Sequence, residues 1–293
     1  MEFVMTIGLS GSGKTTWAHT YKHHNLPCTL LDSDTIRGEL YGDENCQDNP
    51  AKVFDIMYRR TCEALSRGEN VCYCATNLSM KRRIHLLQQL RARFPETYFR
   101  CVVFNTPISV CKEWNNNRKR KVPEYVIDKQ VRAFQFPVEN EGWNKIGIIS
   151  PANYERVCFS RQVWKDVDNA GNQDNPHHTL TLCEHLTETI SKLKLPQMSD
   201  DDAEKLIIAA GMHDIGKAYT RSYDDEGIAH YFGHEMYSAY IAMNMGASME
   251  TVQLVNYHML PFNEQGIAVW RRRLGEELWN KIMILHAADV EAK

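Results

Sequence analysis

At roughly 150 residues per domain, a chain of 293 residues suggests two globular domains. A composition of 43% hydrophobic and 24% charged residues excludes a disordered chain, and no apolar run approaches the ~20 residues of a membrane span. The net charge of −3 hides a division: residues 1–150 carry 21 Lys and Arg against 16 Asp and Glu, whereas residues 151–293 carry 13 against 21 and eight of the twelve histidines. A basic first part suits a polyanion, and an acidic, His-rich second part suits divalent cations; an ordinary solvated surface accounts for either as well.

The first element is the apolar run FVMTIG (3–8), read as a strand. Gly8-Leu-Ser-Gly-Ser-Gly13-Lys14-Thr15 and the helical TTWAHTYKHH follow, which places G-x-x-x-x-G-K-T between strand and helix. Gly8, Gly11 and Gly13 let backbone N–H groups, that of Ser12 among them, turn toward phosphates, and the helix N-terminus adds positive potential. Lys14 is expected to reach the β- and γ-phosphates and Thr15, with Thr16 beside it, to hold Mg²⁺. ATP is therefore an expected ligand. The motif starts at Gly8, which leaves no room for a leader peptide before it, and a cytoplasmic protein is expected. Nine cysteines without a CxxC pair agree, fitting reduced thiols and neither a disulfide framework nor a zinc knuckle.

Strands are predicted at 29–32, 71–75, 98–104 and 144–149, and helices at 51–67, 80–94, 107–117 and 124–134. This alternation predicts an α/β domain over 1–150, a parallel sheet flanked by helices, with ligand residues just after the strands. Three such positions carry chemistry. After the strand at 29–32 come Asp32, Asp34 and Arg37: a carboxylate able to take a proton from a hydroxyl and an arginine able to clamp a phosphate. After 71–75 come Thr76, Asn77, Arg82 and Arg83. Arg118-Lys-Arg120-Lys lies between two helices, where a basic lid can close on phosphates.

These segments, GLSGSGKTT, LDSDTIRGEL, ATNLSMKRR and NNNRKRKVPEYVIDKQVRAF, resemble the kinase domain of phage-type polynucleotide kinases, over roughly residues 1–150 and in the family's order. The resemblance implies that Asp34 is the general base acting on a 5′-hydroxyl and that Arg37 holds the acceptor's phosphate. Arg118 would be the lid arginine on the ATP phosphates, with Arg120 as the alternative, and Arg82 a further substrate contact. Ala75 stands where that family often has an acidic residue, so no role is implied there.

Residues 151–176, rich in Asn, Asp, Gln and Pro, read as a linker or transition in which YERVCFS suits an edge strand. From 177 to 293 the pattern is helical, near 177–193, 201–213, 233–246, 248–258 and 273–291, without strand alternation, so an all-α domain is predicted. NPHHTLTLCEHL, HDIGK, the Gly-His of FGHEMYSAYIA, NYHML and LHAAD resemble the HD superfamily of metal-dependent phosphohydrolases. The resemblance implies one metal on His185, His213, Asp214 and Asp289, and a second reached by His234 and His258. It also implies Lys217 beside the substrate phosphate and His178 as a substrate contact. His/Asp ligation admits Mn²⁺, Fe, Co²⁺, Ni²⁺ or Zn²⁺.

A polynucleotide kinase followed by an HD domain resembles bifunctional RNA end-healing enzymes. What this implies is phosphorylation of 5′-OH ends and removal of 2′,3′-cyclic or 2′/3′ phosphates, on RNA or DNA, in preparation for an RNA ligase. Two other readings stay open: a nucleoside or nucleotide kinase with an HD nucleotidase or cyclic-nucleotide phosphodiesterase, and a regulatory ATP-binding module with a non-catalytic HD domain.

Overall fold

The computed structural model describes residues 1–46, 48–118, 120–151, 156–176 and 179–292. Contacts divide the chain into two units, Met1–Gln130 with Pro137–Pro151, and Val131–Phe136 with Ala152–Lys293.

In the first unit β1 (Glu2–Ile7) leads through the glycine-rich loop to α1 (Lys14–His24). Then come β2 (Cys28–Asp32), α2 (Ser33–Tyr41), α3 (Pro50–Ser66), β3 (Asn70–Cys74), α4 (Met80–Arg93), β4 (Tyr98–Phe104), α5 (Ile108–Asn117), α6 (Glu124–Arg132) and β5 (Lys145–Ile149). The strands form one parallel sheet in the order β2-β3-β1-β4-β5. As the central strand, β1 must be covered on both faces, and Phe3, Val4, Met5, Thr6 and Ile7 are all buried. The glycine-rich loop thus leaves the carboxyl end of the sheet's middle, where the C-terminal ends of β3 and β4 flank it.

A buried ion pair fixes α4. Arg83 donates from Nε and Nη2 to the two carboxylate oxygens of Glu141, at 2.8 and 2.7 Å, and from Nη1 to the carbonyls of Asn77 and Leu78. Trp143 Nε1 and the Val138 amide also donate to Glu141, so every carboxylate lone-pair direction is used. Arg83 is consequently structural, while its neighbour Arg82 is exposed on the first turn of α4.

The second unit is helical: α7 (Arg156–Ala170), α8 (Leu182–Lys192), α9 (Asp200–Met212), the single turn α10 (Lys217–Thr220), α11 (His234–Met245), α12 (Met249–Tyr257), α13 (Ile267–Leu274) and α14 (Glu276–Glu291). Two features depart from the sequence reading. A short antiparallel hairpin, β6 (Ser222–Tyr223) with β7 (Ala229–His230), interrupts the helices, its strands too brief to show alternation. Helix α7 occupies the transition where an edge strand was expected. Phe159, Val163, Val167 and Ala170 recur at helical spacing and pack with Leu182, Leu186, Ile215 and Ile241, an apolar stripe masked by the polar composition around it. Within the same unit, the rings of Phe134 and Phe136 lie 4.5 Å apart, tilted by 32°, and meet Tyr240, while Asn256 bonds the Phe134 carbonyl and the Phe136 amide, each at 3.1 Å. Among the described residues no helix is long and apolar enough to cross a membrane.

Replacing Arg83 by Ala strands a buried carboxylate, and urea unfolding should show a loss of about 3–5 kcal/mol. The double variant Arg83→Met/Glu141→Leu should recover only part of it, because Trp143 Nε1, the Val138 amide and the carbonyls of Asn77 and Leu78 still lose a partner. A loss below about 1 kcal/mol for the single variant would contradict this account.

Candidate phosphate-binding and metal sites

The loop between β1 and α1 is held from all sides. The Gly8 amide donates to the Thr76 carbonyl at 3.1 Å, Thr106 Oγ1 donates to the Ser12 carbonyl at 3.0 Å, and Gln130 grips Ser10 through both its amide and its hydroxyl. Gly11 is required by shape. Its φ is +81°, and a Cβ there would lie 2.2 Å from the Cys111 carbonyl oxygen. Lys14 Nζ reaches the Leu9 carbonyl at 2.5 Å and lies 3.4 Å from Ser12 Oγ. Burial lowers the Lys14 pKa; Cys74, Cys111 and Asp32 oppose the shift, and nearby Arg118 adds to it. Thr15 is exposed at the start of α1, its hydroxyl 3.4 Å from Asp32 Oδ2, and Thr16 is exposed beside it.

Asp32 has a part that its sequence position alone did not assign. Its Oδ1 caps α2, accepting the Asp34 and Thr35 amides at 2.8 and 3.1 Å, while Oδ2 faces Thr15. The cap turns Asp34 outward, where Arg37, one turn on, bonds Oδ1 and Arg120 bonds Oδ2. Asn45 Oδ1 accepts from Arg120 Nε at 3.1 Å. Arg118 takes a different direction: its guanidinium is anchored by Asn115 Oδ1 at 2.8 Å, the same oxygen that holds the Val122 amide. The lid arginines therefore divide, Arg118 on the Lys14 side and Arg120 on Asp34.

In the second unit the histidines and aspartates named from the sequence converge. His185, His213, Asp214 and Asp289 form one group of ligand atoms, and Asp214, His234 and His258 a second, each with all atoms within 4.8 Å of one another. The helix ends place them. His213 and His258 stand just past the C-termini of α9 and α12, His234 opens α11, His185 follows the capping box of Thr181 and Glu184 on α8, and Asp289 lies on α14. Every ring is aimed by its Nδ1, which bonds a carbonyl: Ala292 for His185 at 2.7 Å, and Ala210, Tyr231 and Val255 for His213, His234 and His258 at 2.8 Å each. A carbonyl only accepts, so each Nδ1 carries a hydrogen, and each ring, once neutral, presents a bare Nε2 to the interior as a metal ligand must.

Asp214 is shared. His185 and His213 Nε2 face its Oδ2 at 3.3 and 3.5 Å; His234 and His258 Nε2 face Oδ1 at 3.0 and 3.5 Å. Asp214 Oδ1, His234 Nε2 and His258 Nε2 are buried with no hydrogen-bond partner. Acceptors facing acceptors in a buried nest call for a cation between them, so the donor set fits divalent metal. Gly216 lets the start of α11 approach the HDIGK turn: a Cβ there would lie 2.3 Å from the His234 carbonyl oxygen. Lys217 is buried, its Nζ 2.6 Å from Asp214 Oδ2 and 2.9 Å from Gln173 Oε1. Gln173 was not singled out from the sequence, because it lies in the segment read as a transition. A third acidic group, Asp202, Glu250 and Glu277, is neutralised by Lys281, with Lys205 also on Asp202 and Glu250, and is scaffold. His178 lies outside the described residues.

Burial acts to raise the Asp214 carboxyl, but Lys217, His213, His234 and His185 outweigh it and hold it well below the usual range. Asp289 is likewise held low, against burial, by His213 and His185. For His185 burial disfavours the charged ring, yet Asp214 and Asp289 prevail and push its pKa up to about 9.

Residues 3–137 match the family profile of the AAA domain, and residues 176–292 match that of the HD domain. The class so defined is a P-loop, kinase-like domain followed by an HD domain. Among solved structures the chain is similar to a chain of the Pnkp1/Rnl/Hen1 RNA repair complex, at 21% identity and a TM-score of 0.38, over 46% of this chain and 44% of that one. It is also similar to a gluconokinase from Sinorhizobium meliloti 1021, at 17% identity and TM-score 0.37, over 52% and 84% of the two chains. A tunicamycin resistance protein of Deinococcus radiodurans matches at 17% identity and TM-score 0.34, over 49% and 88%. The match spans less than half the length of the RNA-repair-complex chains. No curated protein sequence matches the chain.

Because the folded-state pKa of His185 is raised from 6.5 to about 9, its proton stabilises the metal-free fold. That stabilisation is complete below pH 6.5 and is lost as the pH rises through 9. In chelator, Tm should therefore fall by roughly 5 °C between pH 6.5 and 9.5. Added Mn²⁺, which takes the place of the proton, should flatten the profile. A pH-independent Tm in chelator would contradict the assignment.

Proposed function

We propose that the chain is a bifunctional nucleic-acid end-healing enzyme, acting on RNA in preference to DNA. It phosphorylates 5′-hydroxyl ends with ATP and removes 2′,3′-cyclic or terminal 2′/3′ phosphates, leaving ends that an RNA ligase joins. The observation that carries the reading is the presence in one chain of Asp34 between two arginines beside a phosphate loop, and of a His/Asp nest built around Asp214.

In the kinase reaction the loop amides and Lys14 hold the phosphates of ATP, while Thr15 and Asp32 hold Mg²⁺. Asp34 accepts the proton of the 5′-hydroxyl as its oxygen bonds to the γ-phosphorus and the bond to the β-phosphate oxygen breaks. Arg37 positions the acceptor's phosphate, and Arg118 with Lys14 stabilises charge on the transferring group. Arg120, on the other oxygen of Asp34, closes the acceptor side, and Arg82 meets the strand beyond.

In the hydrolase reaction His185, His213, Asp214 and Asp289 hold one divalent transition metal, and His234 and His258 extend the set to a second through Asp214. A metal held there would supply hydroxide at neutral pH and offset charge on phosphoryl oxygens. Lys217, fixed by Gln173, balances part of the charge of Asp214 and presents a cation toward the phosphate. His178 is assigned to the substrate side.

Two assays test the reading: transfer of the γ-phosphate of ATP to a 5′-OH oligoribonucleotide, and opening of a 2′,3′-cyclic-phosphate oligomer with Mn²⁺ or Ni²⁺. Asp34→Ala should reduce the first by about 10²–10⁴-fold and leave the second intact, and Asp214→Ala should do the reverse. Turnover of free nucleosides with indifference to chain length would replace this reading by one in nucleotide metabolism.

A further inference from the structure

Four imidazoles of the nest share one habit: His185, His213, His234 and His258 each commit Nδ1 to a carbonyl. A fifth ring beside them, His286 of the LHAAD segment, does not. Its Nδ1 is buried and has no hydrogen-bond partner among the described residues. His286 stands on α14 one turn before Asp289, so the two side chains share a face of the helix. Packing fixes the ring as well. It meets Phe262 edge to face, with centroids 4.4 Å apart and planes at 82°, and Phe262 ends the 3₁₀ turn Leu260–Phe262 just past His258. Burial lowers the His286 pKa; Asp289 opposes the shift and His258 adds to it, so the charges of both ligands reach the ring.

Three atoms of the nest itself are orphaned in the same way, Asp214 Oδ1, His234 Nε2 and His258 Nε2. Those are acceptors, and a cation completes them. His286 is a different case. It offers no atom to either ligand group, so the same cation does not complete it. With its hydrogen on Nδ1 the ring is a donor, and a buried donor costs free energy until something accepts from it. A phosphoryl group brings acceptor oxygens and few partners await them. The carboxylates of Asp214 and Asp289 only accept, and the four ligand rings have spent their N–H groups on carbonyls. Lys217 can donate to such an oxygen, and His286 is placed to be the second donor.

We infer that His286 is a substrate-contact residue of the nest, donating from Nδ1 to an oxygen of the bound phosphoryl group. The inference rests on the reading of the nest as a phosphoryl site, and it adds a donor that the ligand sets do not contain. The contact is to the phosphoryl group alone, so inorganic phosphate reports it as well as a nucleic-acid end does.

Calorimetry on the full chain tests it with two titrations, Mn²⁺ into the metal-free protein and inorganic phosphate into the Mn²⁺-loaded protein. His286→Leu should weaken phosphate about tenfold while Mn²⁺ affinity stays within about twofold of wild type. An Asn amide nitrogen takes the place of Nδ1 and a Gln amide nitrogen that of Nε2. His286→Asn should therefore keep phosphate binding within about threefold of wild type, whereas His286→Gln should fall with the Leu variant. Unchanged phosphate binding in His286→Leu overturns the contact, and so does an equal loss in the Asn and Leu variants. A Mn²⁺ affinity that falls as far as phosphate in His286→Leu makes the residue part of the metal site or its scaffold, and also overturns it. A wild type that binds Mn²⁺ but no phosphate overturns the phosphoryl-site reading and the contact with it.

Discussion

One carboxylate organises the second unit. Asp214 is faced by four imidazole nitrogens, two on each oxygen, and no hydrogen lies between the pairs on Oδ1. Such an arrangement is repulsive unless a cation completes it, so the surrounding fold has to hold the rings in place. It does so with groups that a helix leaves over. The last carbonyls of a helix have no partner in it, and those near the ends of α9 and α12 take the Nδ1–H of His213 and His258, three residues on. The carbonyl of Ala292, at the end of α14, does the same for His185 across 107 residues. Capping and site construction are here the same hydrogen bonds, which is why the ligands cluster at helix ends.

The first unit solves its problem with backbone and fixed cations. Its loop is shaped by Gly11, pinned by Thr106 and Gln130, and lined by Lys14 with Arg118 close by. Asp32, the carboxylate beside the loop, is half-exposed and divides its two oxygens between the α2 cap and Thr15. Positive charge is permanent in this unit, whereas in the nest it arrives with the ion.

The sequence made the chemistry more legible than the scaffold, for a physical reason. Lys14, Thr15, His213 and Asp214 act through short local spacings that fix loop and helix-end geometry, and those spacings are written in consecutive residues. Asp289 and His258 were legible through family resemblance. Gln173, Asn115 and Gln130 were not, because each is polar in a polar context and acquires its partner only when distant segments meet. Helix α7 was hidden in the same way, its apolar stripe of Val163 and Val167 diluted by charged neighbours. The glycine of HDIGK was visible as a motif, but its reason, the approach of the His234 carbonyl, exists only in three dimensions.

The two signs of charge follow from these two solutions. Asp214 and Asp289 are balanced in the empty nest by Lys217 and the protonated His185, which leaves no net charge to attract a phosphate. A divalent cation that displaces the His185 proton would make the nest positive, and a second, in the set His234 and His258 extend, would strengthen that field where Coulomb terms in a buried site are large. On the proposed reading, the acidic half of the chain would attract an anionic substrate through bound cations, while the basic half would meet one directly. The excess of acidic residues in 151–293, 21 against 13 basic ones, is then no argument against a nucleic-acid end as its substrate.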